Sequence, residues 1–200
     1  RGLVALECEP GVLIVADNPS RTLNKVSEIY DRIAFAAVGL YSEYQTLRIA
    51  GVRHADLKGY SYSREDVNAQ ELANAYAQTL HQVFTHEMKP YEVELLVAEV
   101  GHEAGDNDMY HILYDGTVMD EEGSAVLGGQ AEEIATAMES RFSSEMDSAA
   151  AIRLGASVLA GPDTVLSADQ LEVALLDRTR ARRAFRRING EELVAILEAS

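Results

Sequence analysis

The chain is 200 residues long, enough for one large domain or two small ones, and for a core that buries most of its apolar surface. Its 33 acidic residues against 17 basic give a formal charge of -16, which repels phosphate backbones and argues against a nucleic-acid partner. Cys8 is the only cysteine, so no intrachain disulfide is possible, and with neither a secretory signal nor a long apolar span the expectation is a cytoplasmic protein with no membrane role.

In chain order, Leu3 to Glu7 and Val12 to Ala16 flank Glu9-Pro10-Gly11, where proline fixes one φ and glycine tolerates a positive one, so a hairpin is predicted. The polar stretch Asn18 to Arg21 leads to a second pair around Asp31-Arg32, ending in Ile29-Tyr30 and resuming from Ile33 to Val38. Ala34-Phe35-Ala36-Ala37-Val38 lacks polar alternation, as a strand covered on both faces does. A helix is predicted from Ser42, with Ser42 and Gln45 as a capping box, to Lys58, stopped by Gly59. A second helix, capped by Asn68 and stopped by Pro90, carries Leu72, Tyr76, Leu80, Val83, Phe84 and Met88 as one apolar stripe.

Strands return at Val93 to Val100 and Met109 to Tyr114, with a short one after Asp115-Gly116. Gly128-Gly129 leads into a helix marked by Ala131, Ile134, Ala135, Met138 and Phe142. Asp147 or Ser148 caps another, marked by Ile152, Ala156 and Leu159. Strands at Leu171 to Asp177 and Arg183 to Ile188 precede a last helix from Glu191 to Leu197. Helices arriving in pairs argue against a doubly wound parallel sheet and for two mostly antiparallel sheets between helical layers, an α+β, four-layer αββα sandwich. No repeat, linker or composition shift marks a boundary, so residues 1–200 are read as one domain.

The usual catalytic signatures each fail at a chemically necessary position. Gly123 to Gly128 has the spacing of a phosphate loop, but Gly129-Gln130 replace its lysine and hydroxyl residue, so it is read as a turn before a helix. Ser157 sits in an amphipathic helix rather than on a strand-to-helix turn. His54, His81, His86, His102 and His111 include no i, i+4 pair to share a metal. Asp106-Asn107-Asp108 lacks the glycine and closing glutamate of a calcium loop. Neither metal nor cofactor is expected. Arg178, Arg180, Arg182, Arg183, Arg186 and Arg187 form a charge run, read as a docking surface paired with surplus carboxylates. Asp17-Asn18-Pro19-Ser20 is an Asx-type turn.

Several segments together resemble the α subunit of the actinobacterial proteasome core particle. They are Ala16-Asp17-Asn18-Pro19-Ser20, Tyr30-Asp31-Arg32, Phe35-Ala36-Ala37-Val38-Gly39, Lys89-Pro90-Tyr91-Glu92-Val93-Glu94-Leu95, Val97-Ala98-Glu99-Val100, Tyr114-Asp115-Gly116, Gly128-Gly129 and Arg182 to Ile188. The resemblance runs from Arg1 to about Ile188. It implies the fold of N-terminal-nucleophile hydrolases. Catalytic members begin with threonine and carry an aspartate where Asp17 stands. Here Arg1 holds the first position, with no hydroxyl and a guanidinium that stays charged, so no catalytic residue is expected.

The resemblance further implies a heptameric α ring that caps rings of catalytic β subunits, gates the entry of unfolded protein substrates and docks a regulatory ATPase ring or other activator. The pore constriction falls on Lys89, Pro90, Tyr91 and Glu92. Activators dock beside Gly39, where many α subunits have a lysine next and this chain has Leu40. The family's N-terminal gating helix precedes the first residue here. A catalytic β-type subunit and a stand-alone interaction domain are the alternatives.

Overall fold

The structure, a computed structural model, describes residues 1–199. Among the described residues ten strands form two five-stranded antiparallel sheets. The first contains β1 (Leu3–Cys8), β2 (Gly11–Asp17), β8 (Ser124–Leu127), β9 (Leu171–Asp177) and β10 (Phe185–Ile188), in the order β10-β9-β2-β1-β8. The second runs in sequence order through β3 (Val26–Tyr30), β4 (Ile33–Gly39), β5 (Val93–Glu99), β6 (Asp108–Ile112) and β7 (Val118–Asp120).

The side-chain period of two divides each central strand between two cores. Leu3, Ala5, Ile14, Ala16, Ala34, Ala36, Leu96, Ala98 and Ala174 point between the sheets, where the many alanines allow close approach. The alternate residues of the second sheet, Ile33, Phe35, Leu95 and Val97, meet α1 (Tyr41–Ser61) and α2 (Ala69–His86). Those of the first, Val4, Leu6, Leu13, Val15 and Leu175, meet α3 (Ala131–Glu139), α4 (Ser148–Ala160) and α5 (Gly190–Glu198). Each fully buried leucine or valine contributes about 1.5–3 kcal/mol. The predicted αββα sandwich is therefore present, and β4, expected to be covered on both faces, lies between β3 and β5.

Several local expectations are corrected. Helix α1 begins after Leu40, not at Ser42: the Leu40 carbonyl accepts from the N–H groups of Glu43 (3.1 Å) and Tyr44 (3.2 Å), and no capping box forms. It also runs through Gly59, where a Cβ would lie 2.0 Å from the Tyr30 hydroxyl. Gly59 thus marks a close helix-to-strand approach and not a stop. Asn68 does cap α2, accepting from Glu71 N at 3.0 Å. The stripe on α2 is buried at Leu72, Tyr76 and Leu80, whereas Phe84 in the last turn is half-exposed against Tyr114 and Met88 lies beyond the helix end at His86. Between Gly123 and Gly128 the chain is a strand, β8, paired with β1, rather than a turn. Asp147 caps α4 through Ala150 N at 2.7 Å.

Candidate functional site

The two segments assigned by resemblance to pore and docking pocket meet at one end of the second sheet. After α2 the chain turns through Glu87 to Glu92 before β5. Met88 is fully exposed (104%), Lys89 is exposed, and Tyr91 lies half-buried against the core under α1 and α2. Met88 is thus the apolar side chain this loop presents, beside the exposed Glu87, Lys89 and Glu92, and Tyr91 is its anchor. Sequence reading assigned Met88 to the α2 stripe because its spacing from Phe84 fits a helix.

Gly39, at the end of β4, has φ +117°, and a Cβ there would stand 2.0 Å from the Glu92 carbonyl oxygen, so only glycine fits both the conformation and the contact. The Glu92 carbonyl accepts from Leu40 N at 2.9 Å. From the first turn of α1, Glu43 Oε2 accepts from Glu92 N at 2.6 Å and Oε1 lies 3.5 Å from Lys89 Nζ. Gly39 and the Lys89–Glu94 segment line an open cleft of about 550 Å³, together with Arg1, Tyr114, Gly128 and Gly129. Leu40, half-exposed, offers this end an apolar side chain and no charge.

A lysine that no sequence motif marks stands at the same end. The Lys25 carbonyl accepts from Ala37 N at 3.0 Å, two residues before Gly39, and its Nζ donates to the carbonyls of Arg1 and Asp17 at 3.0 Å each. Burial holds its pKa below the usual lysine value, against the pull of Asp17 and Glu172. Asp17 also receives Arg1 Nη1 at 3.3 Å. The head of β1 is therefore occupied by a guanidinium, an aspartate and a half-buried ammonium, with no hydroxyl or thiol at Arg1, Gly2 or Leu3.

Behind this constellation Glu172, only 9% exposed, clasps the two sheets together. It accepts from Asn18 Nδ2 (2.8 Å), Lys25 N (2.8 Å), Val26 N (3.1 Å) and Arg187 Nη1 (2.7 Å). The arginine run is divided: Arg178, Arg186 and Arg187 are partly buried, whereas Arg180, Arg182 and Arg183 are exposed. Arg183 forks onto Glu28, Arg186 pairs with Glu192 at 3.0 Å, and Arg180 donates to Phe185 O at 3.1 Å. These contacts pair the run with carboxylates beside β10, as expected, while Arg182 and Arg183 keep exposed side chains.

Of the remaining candidates only His111 reaches this end, through Glu94. Ser157 is exposed on α4 and accepts from Arg141 at 3.2 Å. Asn107 accepts from Gly101 N at 3.2 Å, which closes the 101–107 loop on itself. His111 is buried between Glu94 (Nε2 to Oε2, 3.2 Å) and Glu121 (Nδ1 to Oε1, 3.4 Å), and the imidazole holds the Glu94 carboxyl below the usual range. Burial pushes the Cys8 thiol up to about 11, so it is an inert core side chain. Among the described residues no three His, Cys, Asp or Glu side chains are grouped to hold a metal, and no helix is long and apolar enough to cross a membrane.

Two antiparallel sheets between helical layers, with the head of β1 at an open end, define the sandwich of N-terminal-nucleophile hydrolases and proteasome subunits. Residues 2–176 match the family model described as proteasome subunit. The chain is 54% identical to a proteasome subunit alpha of Sanguibacter keddieii, over 98% of this chain and 79% of that one. It is 52% identical to that of Thermomonospora curvata (98% and 87%) and 51% identical to that of Thermobifida fusca (99% and 81%). The chain belongs to the proteasome subunit family, on the side of its α subunits. Members of this family are parts of a protease complex and assemble with other proteasome subunits.

Proposed function

We propose that residues 1–200 form one domain that acts as a subunit of a heptameric α ring in the cytoplasm, stacked on catalytic β subunits, without peptidase activity of its own. The observation that carries this is the head of β1. A nucleophile that starts an N-terminal-nucleophile reaction needs a hydroxyl or thiol there and a base able to take its proton. Arg1 supplies neither, and its guanidinium fills the position beside Asp17. Incubation with fluorogenic peptides and a threonine-directed covalent inhibitor tests the reading. Turnover or a covalent adduct on this chain would overturn it.

In that ring the Glu87–Glu92 loop forms the constriction that unfolded substrates pass. Lys89, Pro90, Tyr91 and Glu92 build it, with Met88 as a fully exposed apolar side chain beside them. The carboxylate tail of a regulatory ATPase or other activator docks at the Gly39–Leu40 end. Leu40 gives that tail an apolar contact. Its charge partner is Lys25, which has one N–H left beyond the two carbonyls it binds.

A further inference from the structure

We propose that Glu43 is the positioning residue that couples the docking end of the subunit to its pore loop. The inference rests on the pore role assigned to the Glu87–Glu92 loop and goes beyond it, because neither the motif nor the resemblance involves Glu43. Its carboxylate has little solvent access (13%), and both oxygens are engaged across 46 and 49 residues of sequence. Oε2 takes the Glu92 amide at 2.6 Å, and Oε1 faces the Lys89 ammonium at 3.5 Å.

An acid in the first turn of a helix ordinarily serves the helix dipole, a role that needs no fixed partner and tolerates solvent. Here the carboxylate is instead committed to a loop that belongs to another element. The backbone closes the same knot from the other side, where Leu40 N donates to Glu92 O at 2.9 Å and Gly39 packs on that carbonyl. The start of α1 and the base of the loop therefore move as one body. Displacing Gly39–Leu40 by a docked tail drags Glu43, and Glu43 drags Glu92 and Lys89. The bond from the Glu92 amide, at 2.6 Å, is of the short charge-assisted kind and carries the coupling, while the Lys89 contact at 3.5 Å is the weaker of the two.

The test uses full-length α chain assembled with catalytic β subunits. Hydrogen exchange of the peptide spanning residues 87–92 is read by mass spectrometry, beside the rate of unfolded-protein degradation relative to small-peptide cleavage. Glu43→Ala is expected to speed exchange at Glu92 by about tenfold or more and to raise the protein-to-peptide ratio severalfold. Glu43→Gln keeps an oxygen for the Glu92 amide and is expected to restore its protection while leaving Lys89 released. Gln45→Ala, on the same turn, controls for the helix start and is expected to match the parent in both measurements. Unaltered exchange at Glu92 in Glu43→Ala overturns the positioning role. Faster exchange with an unaltered ratio overturns the coupling if Met88→Trp does shift the ratio. If Met88→Trp leaves the ratio unaltered too, the pore reading beneath it falls.

Discussion

Replacing Lys25 by methionine is expected to separate docking from folding. The ammonium sits half-buried at the Gly39 end, with Nζ on the carbonyls of Arg1 and Asp17 at 3.0 Å each. A well-placed hydrogen bond between charged groups contributes about 1.5–3 kcal/mol, so loss of the carboxylate contact should weaken an activator tail by about ten- to a hundredfold. Folding lowers the Lys25 pKa, chiefly through burial, so charging it opposes folding at neutral pH, and that penalty is lifted only above the ordinary lysine value. Methionine removes the penalty and leaves two carbonyls without their donor. The two effects oppose, and the unfolding free energy should stay within about 1 kcal/mol of the parent. The assay is fluorescence anisotropy of a labelled activator C-terminal peptide on assembled particles, beside thermal unfolding of the chain. The affinity lost should shrink as salt screens the pair. Leu40→Lys should add little, because the charge is already supplied. Binding of Lys25→Met within twofold of the parent at low salt, or binding lost only together with the fold, would refute the reasoning.

Three further outcomes follow from the same contacts. Glu172→Ala takes the carboxylate from Arg187 and the acceptor from three N–H donors at once, and should cost about 3–5 kcal/mol in chemical unfolding. Glu94 is held below the usual carboxylate range, chiefly by its hydrogen bond to His111, so its contribution is present at neutral pH and fades as pH falls through its folded value. Glu94→Gln should therefore destabilise at pH 7 but not in strong acid, as read by urea midpoints across pH. Glu99 shows the opposite sign. Burial raises its pKa despite the bond from Ala69 N at 2.7 Å, so its stabilising contribution is complete only below the ordinary value and is lost as pH rises through the folded one. Glu99→Gln should keep the cap on α2 and raise the midpoint at neutral pH.

Much of the fold was legible because burial on both faces leaves a plain mark on strands such as Ile33 to Val38, and because Asn68 and Asp147 cap through local contacts. The failures share a cause. Gly59 reads as a stop, but it is helical, and the absent Cβ gives room to Tyr30 from another element. The four residues of β8 have too little pattern to show alternation, and their strand identity comes from pairing with β1. The motifs marked Gly39 and Lys89 to Glu92, which the fold brings to one cleft. Lys25, Glu43 and Glu172 carry no motif, and their partners lie far away in sequence, 147 residues for the Glu172 bond to Lys25 N. Met88 was misplaced because helical spacing continues past the last helical hydrogen bond, from Glu87 N to Val83 O.

The central claim, a ring-forming subunit that leaves the cutting to others, is tested most directly by native mass spectrometry. The full-length chain is co-expressed with catalytic β subunits and the particles are treated with a threonine-directed covalent inhibitor. The account predicts stacked rings with seven copies of this chain in each outer ring and the inhibitor mass on β subunits alone. A chain that stays out of the particle, or that carries the adduct itself, would contradict it.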